Sequence, residues 1–171
     1  MIKLIESPYK PGKEVSCSCK VFYTIYKDGK PLSRTHYSTF RYNGDEYTGI
    51  LVLNKRTLSE IKPSIFNVCR EKYRNYPKYT MAEDIVVING ETGKEILDTK
   101  QYTGETPYVI SDYMFCYKNT LYDNNGNIIQ KFSSMHVIEN ENVYIVQDGN
   151  CYSRTGKIYV FDKKGNCLNK Y

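Results

Sequence analysis

The 171-residue chain is 40% hydrophobic and 25% charged, with a formal net charge of +5; this balance belongs to a folded globular protein and excludes a disordered or fibrous one. No apolar run approaches the ~20 residues of a membrane-spanning helix, and the opening "MIKLIESPYKPGKE" has no secretory core, so a cytoplasmic protein without membrane segments is expected. Residues 1–80 hold 15 Lys and Arg against 7 Asp and Glu, and residues 81–171 hold 9 against 12, which assigns any anionic partner to the first half.

Tyr occurs 18 times, Trp never, and Ala82 is the sole alanine. Aromatic and β-branched residues fit a pleated surface and alanine does not, so the skew favours strands. The wealth of Asn, Lys, Ile and Tyr also suits an AT-rich coding genome, as in a low-GC bacterium, a phage or a large virus. A phage or viral origin would make the protein virion-associated.

In chain order, "VSCSCKVFYTIY" alternates, with Val15, Cys17, Cys19, Val21, Tyr23 and Ile25 on one face, and predicts a strand. Asp28-Gly29 suits a two-residue hairpin turn, because both positions tolerate positive φ. "LSRTHYSTFRY" returns as a second strand, and "YTGILVLN" forms a third that is apolar enough to be buried on both faces. Thr57 and Glu60 then make a T-x-x-E capping box. Leu58, Ile61, Ile65, Val68, Cys69, Tyr73 and Tyr76 follow at helical spacing, which predicts one helix over about 57–76 covering the sheet, kinked or restarted at Pro63 and ended by Pro77.

From Met81 the texture changes to short strands and frequent turns. "DIVVINGETGKEILDT" predicts a hairpin around Gly90 to Gly93. "YVISDYMFCYKNTLYDNNGNIIQKF" can be laid over "HVIENENVYIVQDGNCYSRTGKIYVFDKKGNCLNKY", matching Val109-Ile110 to Val137-Ile138 and Asp123…Gly126 to Asp162…Gly165. The second copy carries an 11-residue insertion. Each copy predicts a four-strand meander resembling a propeller blade. Two copies, or three with the partial "IVVINGETGKEIL", cannot close a ring, so an open or sandwich-like sheet is expected. The chain is thus read as a mainly β (α+β) protein: a basic antiparallel sheet plus helix over 1–78, then a slightly acidic β-meander module over 79–171, the two able to pack as one domain.

"LYDNNGNII" and "VFDKKGNCL" imitate a calcium loop. Counted from Asp123, however, Gly126 falls at position 4, Ile128 at position 6 and Ser134 at position 12, where such a loop needs glycine at 6 and a bidentate Glu at 12. Lys163 and Lys164 would repel a cation in the second copy. The common element is hydrophobic–Asp–x–x–Gly–x–x–hydrophobic: Asp binds backbone amides and Gly closes a bulged hairpin. Six cysteines without a secretory signal are expected to be reduced and metal-free, and Cys17 and Cys19, on one side of a strand, lack a C-x-x-C partner set. His36 and His136 are the two histidines, and no nucleophile elbow, H-E-x-x-H or phosphate loop accompanies them. No catalytic residue, cofactor, metal or small-molecule ligand is therefore assigned.

The one charged cluster is Lys55, Arg56, Arg70, Arg74, Lys78 and Tyr79, a candidate polyanion site in which cations alternate with aromatic rings. The leading functional expectation is a non-enzymatic binding or structural protein acting through protein contacts or self-association, on a tyrosine-rich hairpin surface. Nucleic-acid binding through the basic helix is the alternative. An enzyme without a local signature, built around His36, His136 or a cysteine, is the third reading.

Overall fold

A computed structural model describes residues 1–7, 15–16, 22–32, 36–38, 46–60, 79–100, 105–149 and 156–171. These residues are mainly strand and contain no helix. Three sheets, none closed, follow one another along the chain.

The first sheet comprises β1 (Ile2–Glu6), β2 (Val15–Ser16), β3 (Tyr23–Lys27), β4 (Lys30–Pro31), β5 (His36–Ser38), β6 (Glu46–Tyr47), β7 (Ile50–Glu60), β8 (Tyr79–Asn89) and β9 (Glu95–Asp98). Its order is β2-β8-β7-β5-β3-β1-β6, with β4 on β3 and β9 on β8; β2 runs parallel to β8 and the other pairs are antiparallel. Flat, β1 and β8 would stand roughly 19 Å apart at ordinary strand spacing. Yet the Met1 amino group donates to the Glu91 carbonyl just past β8, at 3.3 Å. The sheet therefore rolls up, and its concave side encloses Ile2, Leu4, Ile25, Tyr37, Leu51, Leu53, Val86 and Ile88. The expected Asp28-Gly29 turn is present, with φ of 50° and 75° and Lys27 paired to Lys30.

Residues 57–60 correct the expected helix start. They are the last four residues of β7, which pairs with β8 without a break from Ile50↔Asn89 to Glu60↔Tyr79. The ladder supplies the amide partners that a capping box would have supplied, and β-branched Thr57 suits it. The rest of the predicted helix, 61–76, lies outside the described residues. The single strand expected over 15–26 is also divided: β2 joins β8 at one side of the sheet, while β3 lies between β5 and β1. Tyr23 and Ile25 do share the apolar side, as their alternation implied.

The middle sheet is a four-strand meander of β10 (Tyr108–Ser111), β11 (Met114–Tyr117), β12 (Thr120–Asp123) and β13 (Ile128–Lys131). The last sheet repeats it with β14 (Met135–Glu139), β15 (Val143–Asp148), β16 (Lys157–Asp162) and β17 (Cys167–Lys170). Both meanders follow the internal repeat read from the sequence. Lengthened β15 and β16, with the connection between them, take up most of the insertion. Asp148 Oδ1 accepts the Ser133 amide and hydroxyl, both at 2.7 Å, fixing the link from β13 to β14.

The three sheets stack in series because alternate residues of each strand serve different neighbours. In β7, Leu51 and Leu53 enter the first core, while Ile50 and Val52 point to the middle sheet. There they meet Phe115, Val109 and Tyr122, with Phe115 and Tyr122 stacked at 5.0 Å. Met114 and Leu121, on the other side of the same strands, pack with Tyr144, Val146, Tyr159 and Phe161 of the last sheet. A strand buried on both faces was expected for β7; β11 is a second, with Met114 and Phe115 both fully buried. Burying such side chains contributes about 2–3 kcal/mol each.

One turn recurs at the end of each layer. Asp123 Oδ1 accepts the Asn125 and Asn127 amides at 2.8 Å, and Asp162 Oδ1 accepts those of Lys164 and Asn166 at 2.9 and 2.8 Å. Asn89 Oδ1 does the same for Glu91 and Thr92, both at 2.9 Å, in a turn one residue longer. Gly93, Gly126 and Gly165 close the turns with φ of 73°, 86° and 92°. A bulge follows each, leaving Ile96, Ile129 and Leu168 as the residues without a cross-strand partner.

Replacing Gly126 or Gly165 by Val should cost about 2 kcal/mol or more, since a β-branched side chain at positive φ adds strain to a close approach. Asp123→Asn should cost less, because an amide oxygen can accept the same turn amides, as Asn89 Oδ1 does in the longer turn of the first sheet. Denaturant unfolding of the three variants checks the order, and an Asp123→Asn loss equal to the glycine losses would refute the assignment.

Candidate contact surface

The glycine turns also join the layers. A methyl group at Gly126 would stand 2.9 Å from the Ile96 carbonyl oxygen and 3.3 Å from its Cβ. One at Gly165 would stand 2.9 Å from Met114 Cγ and 3.3 Å from Ile129 Cδ1. Gly126 therefore lies on the bulge residue of the layer before it and Gly165 on Met114 and the bulge residue Ile129, and glycine is needed there for space as well as for φ. Gly93, in the first sheet, lies against Leu32 and against Ile2 of that same sheet. Side-chain bonds tie the same seams: Asn89 Nδ2 donates to the Asn124 carbonyl at 2.7 Å, and Ser111 Oγ to the Lys163 carbonyl at 3.3 Å.

The repeat has a consequence at its end. Ile50, Val87 and Ile96 of the first sheet correspond by register to Met114, Leu121 and Ile129 of the middle sheet, and to Val143, Val160 and Leu168 of the last. In the first two layers these positions lie against the next sheet. In the last layer Tyr159 and Phe161 turn inward, so Val143, Ile145, Ile158 and Val160 point away from the core with Ile138 beside them. Leu168 is 58% exposed, Ile138 47% and Ile158 37%. Tyr171, bonded through its backbone to Ile158, is exposed on the same side. The outer face is thus apolar in the pattern that is covered twice within the chain.

Of the predicted cationic cluster, Lys55, Arg56 and Tyr79 lie among the described residues. Lys55 and Arg56 lie within β7 rather than ahead of a helix. Lys55 Nζ bonds Glu95 at 3.1 and 3.2 Å and Asp98 at 3.1 Å, and its side chain is only 22% exposed. Two carboxylates hold this ammonium, so it offers no charge to a phosphate. Tyr79 opens β8; Arg70, Arg74 and Lys78 lie outside the described residues. The partners of Lys55 stand 40 and 43 residues away in sequence, too far for local spacing to show them.

His36 is in β5, opposite Arg56. His136 is exposed on the outer side of β14, opposite Gln147. Cys116 and Cys167 are free thiols; burial pushes the Cys116 thiol up, away from the reactive thiolate. Cys17, Cys19, Cys69 and Cys151 lie outside the described residues. Asp123 and Asp162 spend their oxygens on the amides of their own turns, with Asn127 and Asn166 Nδ2 on the second oxygen at 2.8 Å. Among the described residues no three His, Cys, Asp or Glu gather as a metal would require, and no helix is long and apolar enough to cross a membrane. Comparison with protein-family models, with curated proteins and with solved structures finds no match.

The Lys55 pair makes stability pH-dependent at both ends. Burial opposes the charge of Asp98, but the Lys100 amide and the Lys55 ammonium outweigh it and lower its pKa. Burial likewise opposes the charge of Lys55, and Glu95 and Asp98 outweigh it and raise its pKa. The lowered carboxyl contributes stability that is lost as pH falls through its folded value; the raised ammonium contributes stability that is lost as pH rises through its own. A plateau between about pH 4 and about pH 10 is expected. Asp98→Asn should lower the plateau and flatten its acid side in thermal unfolding across pH, and an acid side parallel to that of the parent would refute the pairing.

Proposed function

We propose that the protein is a non-enzymatic contact module that binds protein through the outer face of its last sheet. The observation that carries this reading is the exposure of Leu168, whose counterparts Ile96 and Ile129 in the two earlier layers are covered, beside the exposed Ile138 and Ile158. A contiguous apolar patch with a polar rim is how a folded protein marks a docking surface. His136, Gln147, Asn169 and Asp162 supply that rim. The face is built on a hydrogen-bonded four-strand sheet, and a surface already ordered before contact loses little conformational entropy on binding.

Polyanion binding is the weaker reading. It retains the excess of positive charge in residues 1–80 but loses Lys55 to Glu95 and Asp98.

The test is the native mass of the protein in extracts of cells that make it. The parent should migrate in a complex heavier than the 20.0 kDa chain, and Ile158→Asp, unchanged in circular dichroism, should migrate alone. A parent that migrates alone, or an Ile158→Asp variant that stays in the complex, would contradict the reading.

A further inference from the structure

We propose that the outer face of the last sheet takes a second copy of this chain, the two sheets packing face to face about a two-fold axis. The inference rests on the contact-surface reading above and names the partner.

Continuity carries it first. The two equivalent faces within the chain are each covered by another sheet of the same protein, and both interfaces join aliphatic residues on one side to aromatic and aliphatic residues on the other. The open face continues that series with Val143, Ile145, Ile158, Val160, Ile138 and Leu168. Self-complementarity carries it next. A two-fold axis along the strands, between β15 and β16, sets β14 of one copy over β17 of the other, so Ile138 faces Leu168 twice and Ile145 and Val160 meet at the centre. Aligned packing of this kind is the ordinary geometry of stacked sheets, ~10 Å apart.

Charge agrees with the same axis. The β14–β15 turn carries Glu141, and the β16–β17 turn carries Lys164; Val143↔Asp162 pairing puts both turns at one end of the sheet, on opposite halves. The axis keeps that end in common and exchanges the halves, bringing Glu141 of each copy towards Lys164 of the other. Four strands of four to six residues give a footprint of roughly 400 Å² per copy, about 800 Å² in all and below the size of a stable specific interface. The dimer is therefore reversible and concentration-dependent.

Sedimentation of the purified full chain from about 10 to 200 μM should show a monomer–dimer equilibrium. Leu168→Asp and Ile138→Asp should each raise the dissociation constant by about tenfold or more. Ile128→Asp, an equally exposed isoleucine of the middle sheet, should leave it unchanged. A monomeric parent across that range, or a dimer indifferent to Leu168→Asp, overturns the proposal. A photoreactive diazirine side chain at position 168, activated in the producing cells, separates this failure from that of the broader reading. An adduct of twice the chain mass supports the second copy. Adducts with other proteins alone overturn the second copy and leave the contact surface standing; the absence of any adduct overturns both.

Discussion

Everything beyond the first sheet depends on one contact: a glycine, held at positive φ by an Asx side chain that binds the turn's own amides, resting on the bulge residue of the preceding layer. Neither half works alone. Without the Asp or Asn cap the turn amides lose their partners, and without glycine the turn cannot approach Ile96 or Ile129. The bulge is equally necessary, because it adds the residue that rises to meet the turn. Turn, bulge and layer spacing are therefore a single constraint, met twice, with Asp123 and Asp162, while the Asn89 turn supplies the first bulge.

A stack built this way is close to one-dimensional. Each layer contributes its own hydrogen-bonded meander and one interface with its neighbour, as in repeat proteins. Stability is then a sum over seams. The seam between the middle and last sheets is the more aromatic, with Phe132 edge-on to Tyr159 at 5.3 Å and Tyr144 and Phe161 buried beside them. The last sheet keeps the aliphatic pattern of an internal layer on its outer face, with Val143, Val160 and Leu168 standing where Met114, Leu121 and Ile129 stand in the middle sheet.

Much of the fold was legible in the sequence, and the reasons differ by element. The Asp–x–x–Gly turns were readable because their chemistry is local: the capping oxygen and the glycine lie within four residues of each other. The meanders followed from the spacing of those turns. β7 was readable as a doubly buried strand from the run Ile50 to Leu53. Its last residues were not, because Thr57 and Glu60 satisfy a helix-start pattern while also suiting a strand, and the pairing that decides between them comes from β8, some 20 residues on. The candidate surface was legible only in kind. Alternation in β16 separates Ile158 and Val160 from Tyr159 and Phe161, but which set faces solvent depends on the sheet packed against them. The Lys55 pair was hidden for the same reason, since β9 reaches β7 only across β8.

The central claim, that a glycine turn of one layer rests on the bulge residue of another, is tested most directly by a double-mutant cycle between Gly165→Ala and Ile129→Ala. If the methyl group at 165 is costly because it meets Ile129, shortening Ile129 should recover part of the loss, with a coupling of about 1 kcal/mol in denaturant unfolding. The φ strain appears in both arms of the cycle and cancels. Costs that add to within about 0.3 kcal/mol would mean that the turn at Gly165 does not rest on the bulge residue Ile129.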